Sequence, residues 1–303
     1  MTKIHFICLF LLLVMFSVNA QTTKKSKSDS ASSYFRVDAS YLSNYVYNGR
    51  QDSLKTPYLT PTIGYYDKSG FWVSGSLSYL ANSTESRIDL YSLDIGYDFD
   101  IAENFSCSVY GDKSFYNDAS QAINSAVKGS IGSIVSYDLG FLQVNAGVDI
   151  LFSNQADIVT NIGLAHAFYI GDKASLFTIT PTITTNLSTL HYYEGYANKK
   201  AGKKANQVIP NLESISIATT VNNNNFTLMD YEFSLPITYD TQKVGFFFTP
   251  SFALPKNPVY TTTTTTIKLR NGTQTSQTVD STPWQEKNLT NVFYAELGFY
   301  FKF

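Results

Sequence analysis

Tyr294-Ala-Glu-Leu-Gly-Phe-Tyr-Phe-Lys-Phe303 closes the chain, and with Phe293 before it the stretch divides by parity. Phe293, Ala295, Leu297, Phe299, Phe301 and Phe303 fall on one face of a strand. Tyr294, Glu296, Gly298, Tyr300 and Lys302 fall on the other. Side chains alternate sides along a strand. A greasy, aromatic outer face with a polar inner face suits a barrel wall in lipid. A soluble protein rarely exposes such a row of phenylalanines. The stretch predicts an all-β fold, an antiparallel up-and-down transmembrane barrel.

The other end of the chain agrees. Lys3 gives a positive start, Ile7 to Val14 an apolar stretch, and Val18-Asn19-Ala20 a small-residue cleavage site before Gln21. We read residues 1–20 as a secretory signal peptide cleaved near Ala20. Cys8 lies too deep in it to be a lipidation cysteine. Residues 21–33 are polar and patternless, which predicts a flexible periplasmic tail. Residues 34–303 remain for the barrel.

Composition supports this division. There are 22 Tyr and 22 Phe, with charged residues at only 15%. No segment holds the roughly 18 consecutive apolar residues of a membrane helix. Barrels hide their hydrophobicity by alternation. Past the signal, Cys107 is the sole cysteine, so no internal disulfide or thiolate cluster is expected. We place it on the lipid face. The formal charge is −2 for the chain, or −3 once Lys3 is removed, which does not suggest nucleic-acid binding.

Twelve alternating segments follow the tail, at 34–47, 57–66, 70–80, 88–99, 105–116, 129–139, 141–152, 158–170, 174–189, 226–239, 244–254 and 290–303. In the first, Phe35, Val37, Ala39, Tyr41, Tyr45 and Tyr47 are predicted to face out, and Arg36, Asp38, Ser40 and Asn44 in. Connections after even segments are short, at 67–69, 100–104, 140, 171–173 and 239–243. Those after odd segments are mostly longer, and 190–225 and 255–289 are the longest. Short periplasmic turns with long extracellular loops, and both termini in the periplasm, are the expected arrangement. Phe35, Tyr65, Phe71, Tyr97, Phe99, Phe105, Tyr137, Phe168, Phe177, Tyr239, Phe246 and Phe301 then form an outward girdle near the periplasmic ends.

The outer loops carry two features. Asn271-Gly272 lies between β-prone runs, a strong hairpin signal, and predicts a ribbon that continues the last two strands above the membrane. Tyr196-Ala-Asn-Lys-Lys-Ala-Gly-Lys-Lys-Ala205 reads as a solvated loop whose lysines could touch anionic lipopolysaccharide.

Catalytic chemistry is sparse. The mature chain has His166 and His191, without metal-ligand spacing or a carboxylate cluster. By parity His166 faces outward near the periplasmic boundary. His191 with Glu194 is the only pair that could be bent into a hydrolase site. No phosphate-binding Gly-rich loop or nucleophile elbow occurs. No cofactor, metal or enzyme activity is predicted.

The lumen is more informative. Asp38, Asp94, Asp98, Asp112, Asp149, Asp230, Glu232 and Glu296 are predicted to point inward, against Arg36 and Lys302. Arg36 and Asp38 share a face and can pair. An acidic lumen would favour cations. The same carboxylates could instead bond hydroxyls and merely fill the interior, and the sequence leaves both readings open. Trp72, Tyr110, Phe247, Tyr294 and Tyr300 also face in and could narrow the bore.

Ser43-Asn-Tyr-Val-Tyr-Asn-Gly-Arg50, followed by Thr56-Pro-Tyr-Leu-Thr-Pro-Thr-Ile-Gly-Tyr-Tyr-Asp-Lys-Ser-Gly-Phe-Trp-Val-Ser-Gly75, resembles the N-terminal hairpins of the TorF-like porin family. Here Asn48-Gly49-Arg50 replaces that family's Arg-Gly order. The resemblance covers about the first quarter of the chain and implies a porin-like role in the Gram-negative outer membrane. The strand ending in Phe299, Phe301 and Phe303 resembles the signal that outer-membrane barrels present to their assembly machinery. Expected partners are that machinery, periplasmic chaperones, outer-membrane lipids with lipopolysaccharide, and small solutes. The expected function is passive diffusion of small hydrophilic solutes or cations. The alternative is a closed barrel acting through its surface loops.

Overall fold

The computed structural model describes residues 32–303 apart from 83, 173 and 205–209. The signal peptide and all but the last two residues of the predicted tail lie outside the described residues. Seven staves are single strands: β1 (Tyr34–Leu42), β2 (Tyr58–Tyr66), β3 (Phe71–Ala81), β4 (Ser86–Ala102), β5 (Phe105–Tyr116), β6 (Gly129–Asp138) and β7 (Gln143–Phe152). The eighth is β8 (Ala156–Ala165) continued by β9 (Phe168–Gly171). The ninth is β10 (Ser175–Ile179) with β11 (Thr182–Ser188). After α1 (His191–Lys204) and β12 (Leu212–Val221), the tenth stave is β13 (Thr227–Ser234) with β14 (Ile237–Thr241), and the eleventh is β15 (Val244–Pro255). Then come β16 (Thr261–Leu269), β17 (Gln274–Asp280) and α2 (Trp284–Lys287), before the twelfth stave, β18 (Val292–Lys302).

Each stave pairs antiparallel with the next, and β18 returns to β1 with Arg36 opposite Lys302. The result is a closed barrel of twelve staves. Closure leaves no unpaired edge, the condition for a sheet to cross a bilayer. Alternation explains which face is which. Ile63 and Leu93 are each 59% exposed on the outer wall, and Leu297 is 52%. In water such a band would be a hydrophobic liability, whereas against acyl chains it is the expected contact surface.

Three staves are interrupted at one level. Pro181 separates β10 from β11, Pro236 separates β13 from β14, and His166-Ala167 separates β8 from β9. A proline has no N–H to give to the ladder. Single bonds carry the wall across the gaps: His166 N to Pro181 O at 3.2 Å, Thr180 N to Pro236 O at 2.8 Å, and Leu235 N to Pro250 O at 3.0 Å. His166 sits in the gap between β8 and β9, with Nδ1 2.6 Å from Phe141 O and its ring against Phe168.

The two ends of the barrel differ. Tight connections join β2–β3, β4–β5, β6–β7, β9–β10 and β14–β15 at the end that also holds both ends of the barrel segment. The predicted girdle circles this turn end. Phe35 faces Tyr65, Phe71 faces Tyr97, Phe105 faces Tyr137, and Phe177, Tyr239 and Phe246 lie in one row.

The loop end departs from the sequence reading in three places. The first stave stops at Leu42 rather than running to residue 47. Ser43 still exchanges bonds with Ala295, after which the chain leaves the wall and turns inward, so that Tyr45 and Tyr47 are half-buried and pack on Tyr58 and Tyr192 rather than facing lipid. The lysine-bearing loop forms α1. The Asn271-Gly272 hairpin exists as β16–β17, with Gly272 at φ +82°, but it does not extend the last staves. It joins β12 in a separate three-stranded sheet.

The most deeply buried residues lie at this loop end. Tyr192, Tyr193, Tyr196, Val259, Ile123 and Val127 pack with Leu151, Val159 and Met229 of the wall. The loops therefore fill the barrel mouth and form a cap with its own core.

Candidate functional site: the lumen and its cap

Below the cap the lumen is lined by the residues that alternate with the lipid-facing ones. Asp94 of β4 stands directly opposite Asp112 of β5, which stands opposite Ser130 of β6. Ser92 donates to Asp94 at 2.7 Å, and Ser114 to Asp112 at 2.8 Å. Two residues toward the turn end, Tyr110, Gly132 and Asp149 form the next row, and Tyr110 OH donates to Asp149 at 2.8 Å. Asp98, at the open turn end, accepts from Ser108 and from Trp72 Nε1. Glu296 is half-buried on β18.

The bases sit apart from this acidic strip. Arg36 Nε donates to Asp38 at 2.7 Å, and its guanidinium lies 4.0 Å from the centre of the Tyr300 ring. Lys302 Nζ lies near Tyr34 and Tyr300. These groups cluster on the first and last staves at the turn end, where Asp38 offsets the charge of Arg36.

The large inward rings do not all project into the bore. Trp72 lies on Gly96, Tyr110 on Gly132, Phe247 on Gly298 and Tyr300 on Gly245. Each pair is directly opposite in the ladder. Glycine supplies a hollow in the wall, and the ring from the neighbouring stave lies down in it. Tyr294 is instead held by its hydroxyl, which donates to Glu232 at 2.6 Å.

The cap begins with a tight turn. Tyr47 and Arg50 exchange backbone bonds of 2.9 Å around Asn48 and Gly49, at φ +47° and +72°. Positive φ at both central residues is the type I′ geometry that Asn-Gly favours. The turn carries Arg50 into the buried centre, where it is 3% exposed. Its two terminal nitrogens donate to the carbonyls of Asn48, Met229, Lys256 and Asn257. Its Nε lies 3.5 Å from Glu286 of α2. Glu286 in turn accepts from Val259 N at 2.9 Å. Burial raises the Glu286 carboxyl above its ordinary value, against the pull of Arg50.

The helix α1 is the second pillar. Its polar N-terminus needs a partner, and Asp157 of β8 supplies one, accepting from His191 N at 2.8 Å and Tyr192 N at 2.7 Å. Tyr196 OH donates to Asp52 at 2.7 Å, and Asn48 Nδ2 donates to Tyr192 OH. Tyr45 OH bonds Asn124 at 2.9 Å, and burial pushes that phenol up to about 12. Lys199 turns inward to Ser125, while the side chains of Lys200, Lys203 and Lys204 lie outside the described residues.

Asp230 belongs to the cap as much as to the lumen. It is fully buried, Asn186 donates to one oxygen at 2.8 Å, and the other oxygen has no partner. A Cβ on Gly49 would stand 2.7 Å from its Cβ. His191 and Glu194, the pair read from the sequence, serve different neighbours. His191 Nδ1 is 3.0 Å from Asp157, and Glu194 accepts from Val221 N.

No protein family and no curated protein matches the chain. Solved structures of outer-membrane barrels are similar at low identity. A bacterial polysaccharide outer-membrane secretin is 9% identical with a TM-score of 0.34, covering 89% of this chain and 98% of its own. CdiB from Acinetobacter baumannii is 8% identical with a TM-score of 0.35, covering 90% of this chain and 60% of its own. Salmonella typhi OmpF is 9% identical with a TM-score of 0.30, covering 89% and 97%. The fold itself rests on the strand pairing described above.

Proposed function

We propose that the protein is an outer-membrane channel through which small hydrophilic solutes, cations above all, diffuse passively. The acidic strip carries this reading: Asp94 opposite Asp112, with Asp149 and Asp98 nearby, while Arg36 is engaged by Asp38. Carboxylates lining a polar bore raise the local concentration of cations and oppose anions. The hydroxyls bound to them keep them solvated by dipoles, and rings laid on glycines keep the passage clear. The turn end would face the periplasm and the capped end the exterior. Single-channel recording of the refolded protein under a salt gradient tests this. Steady conductance with a cation-selective reversal potential is expected; a folded barrel that never conducts overturns it.

The cap favours a second reading, a barrel closed at its mouth that acts through its outer surface. Its packed core and the separate β12–β16–β17 sheet would then be the functional parts. Deleting 190–225 and 255–289 would abolish the role while leaving the wall assembled.

A further inference from the structure

We propose that Arg50 is the pin that seats the cap, and that it thereby sets how far the channel is open. The inference rests on the channel reading above and adds the part that controls it. Four segments meet over the mouth: 43–57, 117–128, α1 with β12, and 256–291. Arg50 is where the first of these joins the last. Its fork takes carbonyls from both sides of the tenth–eleventh stave junction, Met229 on one and Lys256 with Asn257 on the other. Its Nε faces the Glu286 carboxylate. Met229, Val259 and Tyr192, which belong to the buried core, lie along the same seam.

No other residue type supplies this set of bonds. A guanidinium carries five donors in a rigid plane, whereas an ammonium is a single point of charge. Truncation would remove the donors to the Lys256 and Asn257 carbonyls and take the counter-charge from Glu286, which would keep only its neutral donors such as Val259 N, and water would be drawn in. The wall is not implicated, because β1 is tied to β2 and β18 along its whole length independently of Arg50. Arg50 is thus a positioning residue: it orders the segment lying across the bore and does not itself line the acidic strip.

The experiment compares wild type, Arg50→Ala and Arg50→Lys, each refolded and checked for heat-modifiable gel migration. Single-channel conductance is measured together with hydrogen–deuterium exchange of segment 43–57. Arg50→Ala should expose that segment to exchange and raise unitary conductance at least twofold, with cation preference kept because the carboxylates remain. Arg50→Lys should fall between the two. If wild type conducts and Arg50→Ala either keeps 43–57 protected or loosens it with no change in conductance, Arg50 does not set the opening; the inference is overturned and the channel reading stands. If neither conducts while the segment has loosened, the channel reading fails and the inference fails with it.

Discussion

The indole of Trp72 occupies the place where its cross-strand partner Gly96 would carry a side chain. A Cβ built on Gly96 comes within 2.3 Å of the ring. The two residues are directly paired between β3 and β4. The wall is therefore thin where the ring is thick, and the bore keeps its width.

Substituting Gly96 by alanine should lift Trp72 off the wall. Overpacking of this kind costs about 1–3 kcal/mol. Only Trp72 and Trp284 occur in the chain, so a Trp284→Phe background leaves Trp72 as the single indole reporter. Its emission should shift on Gly96→Ala, and the urea midpoint should fall. An unchanged spectrum would mean that the ring does not rest there.

Ion selectivity should follow the acidic strip. Asp94→Asn with Asp112→Asn removes both members of a directly opposed pair and should move the reversal potential toward zero under a salt gradient. Asp230→Asn with Glu232→Gln should move it less, because Asp230 is fully buried beneath Gly49. The reverse ranking would place the selective charges at the cap.

Gly49 and Gly272 both follow an asparagine and both have positive φ. They differ in surroundings: Asp230 crowds Gly49, whereas nothing stands near Gly272. Gly272→Ala should cost about 1 kcal/mol, the local backbone strain alone. Gly49→Ala adds a collision to that strain and should cost several times as much, read as a larger fall in melting temperature. Equal falls would show that Asp230 yields freely.

Acidity should tighten the cap through Glu286. Burial raises this carboxyl above its ordinary 4.5. The folded state then holds the proton more firmly than the unfolded state. Stability from this group is greatest below 4.5 and declines as pH rises through the folded value. Exchange protection of 256–291, corrected for intrinsic rate, should increase as pH falls from 7 toward 4.5. Glu286→Gln should flatten that dependence; an equally steep profile in the variant would assign it to another group.

The wall was legible because one physical requirement, alternation between lipid and lumen, is written in every stave. The interruptions at Pro181 and Pro236 were legible in principle, since proline cannot give to the ladder, but continued alternation across them masks the break. The cap is not legible in the sequence, for a related reason. Tyr41, Tyr45 and Tyr47 keep strand parity, yet the last two pack their rings on Tyr58, at the start of the next stave, and on Tyr192, far along the chain. Asn48-Gly49 carries the same turn signal that located the Asn271-Gly272 hairpin. Tyr192, Tyr193, Tyr196 and Ala197 also hold helical spacing within what looked like a lysine-rich loop. Arg50 lies beside that turn signal, but its role is not legible there, because its carbonyl partners are distant and carry no side-chain signature.

The Arg50–Lys256 bond spans 206 positions, and β12 finds β16 only across the tenth and eleventh staves. Such pairings cannot form while the chain is still being delivered, because their second halves have not yet crossed. Loop closure over that distance is slow and is rewarded only at the end. The mouth should therefore mature late: Arg50 waits for residue 286, and the wall closes only when β18, which follows it, reaches β1. On the channel reading, defects in it would leave the wall assembled and show instead as raised conductance and protease sensitivity of the loop end.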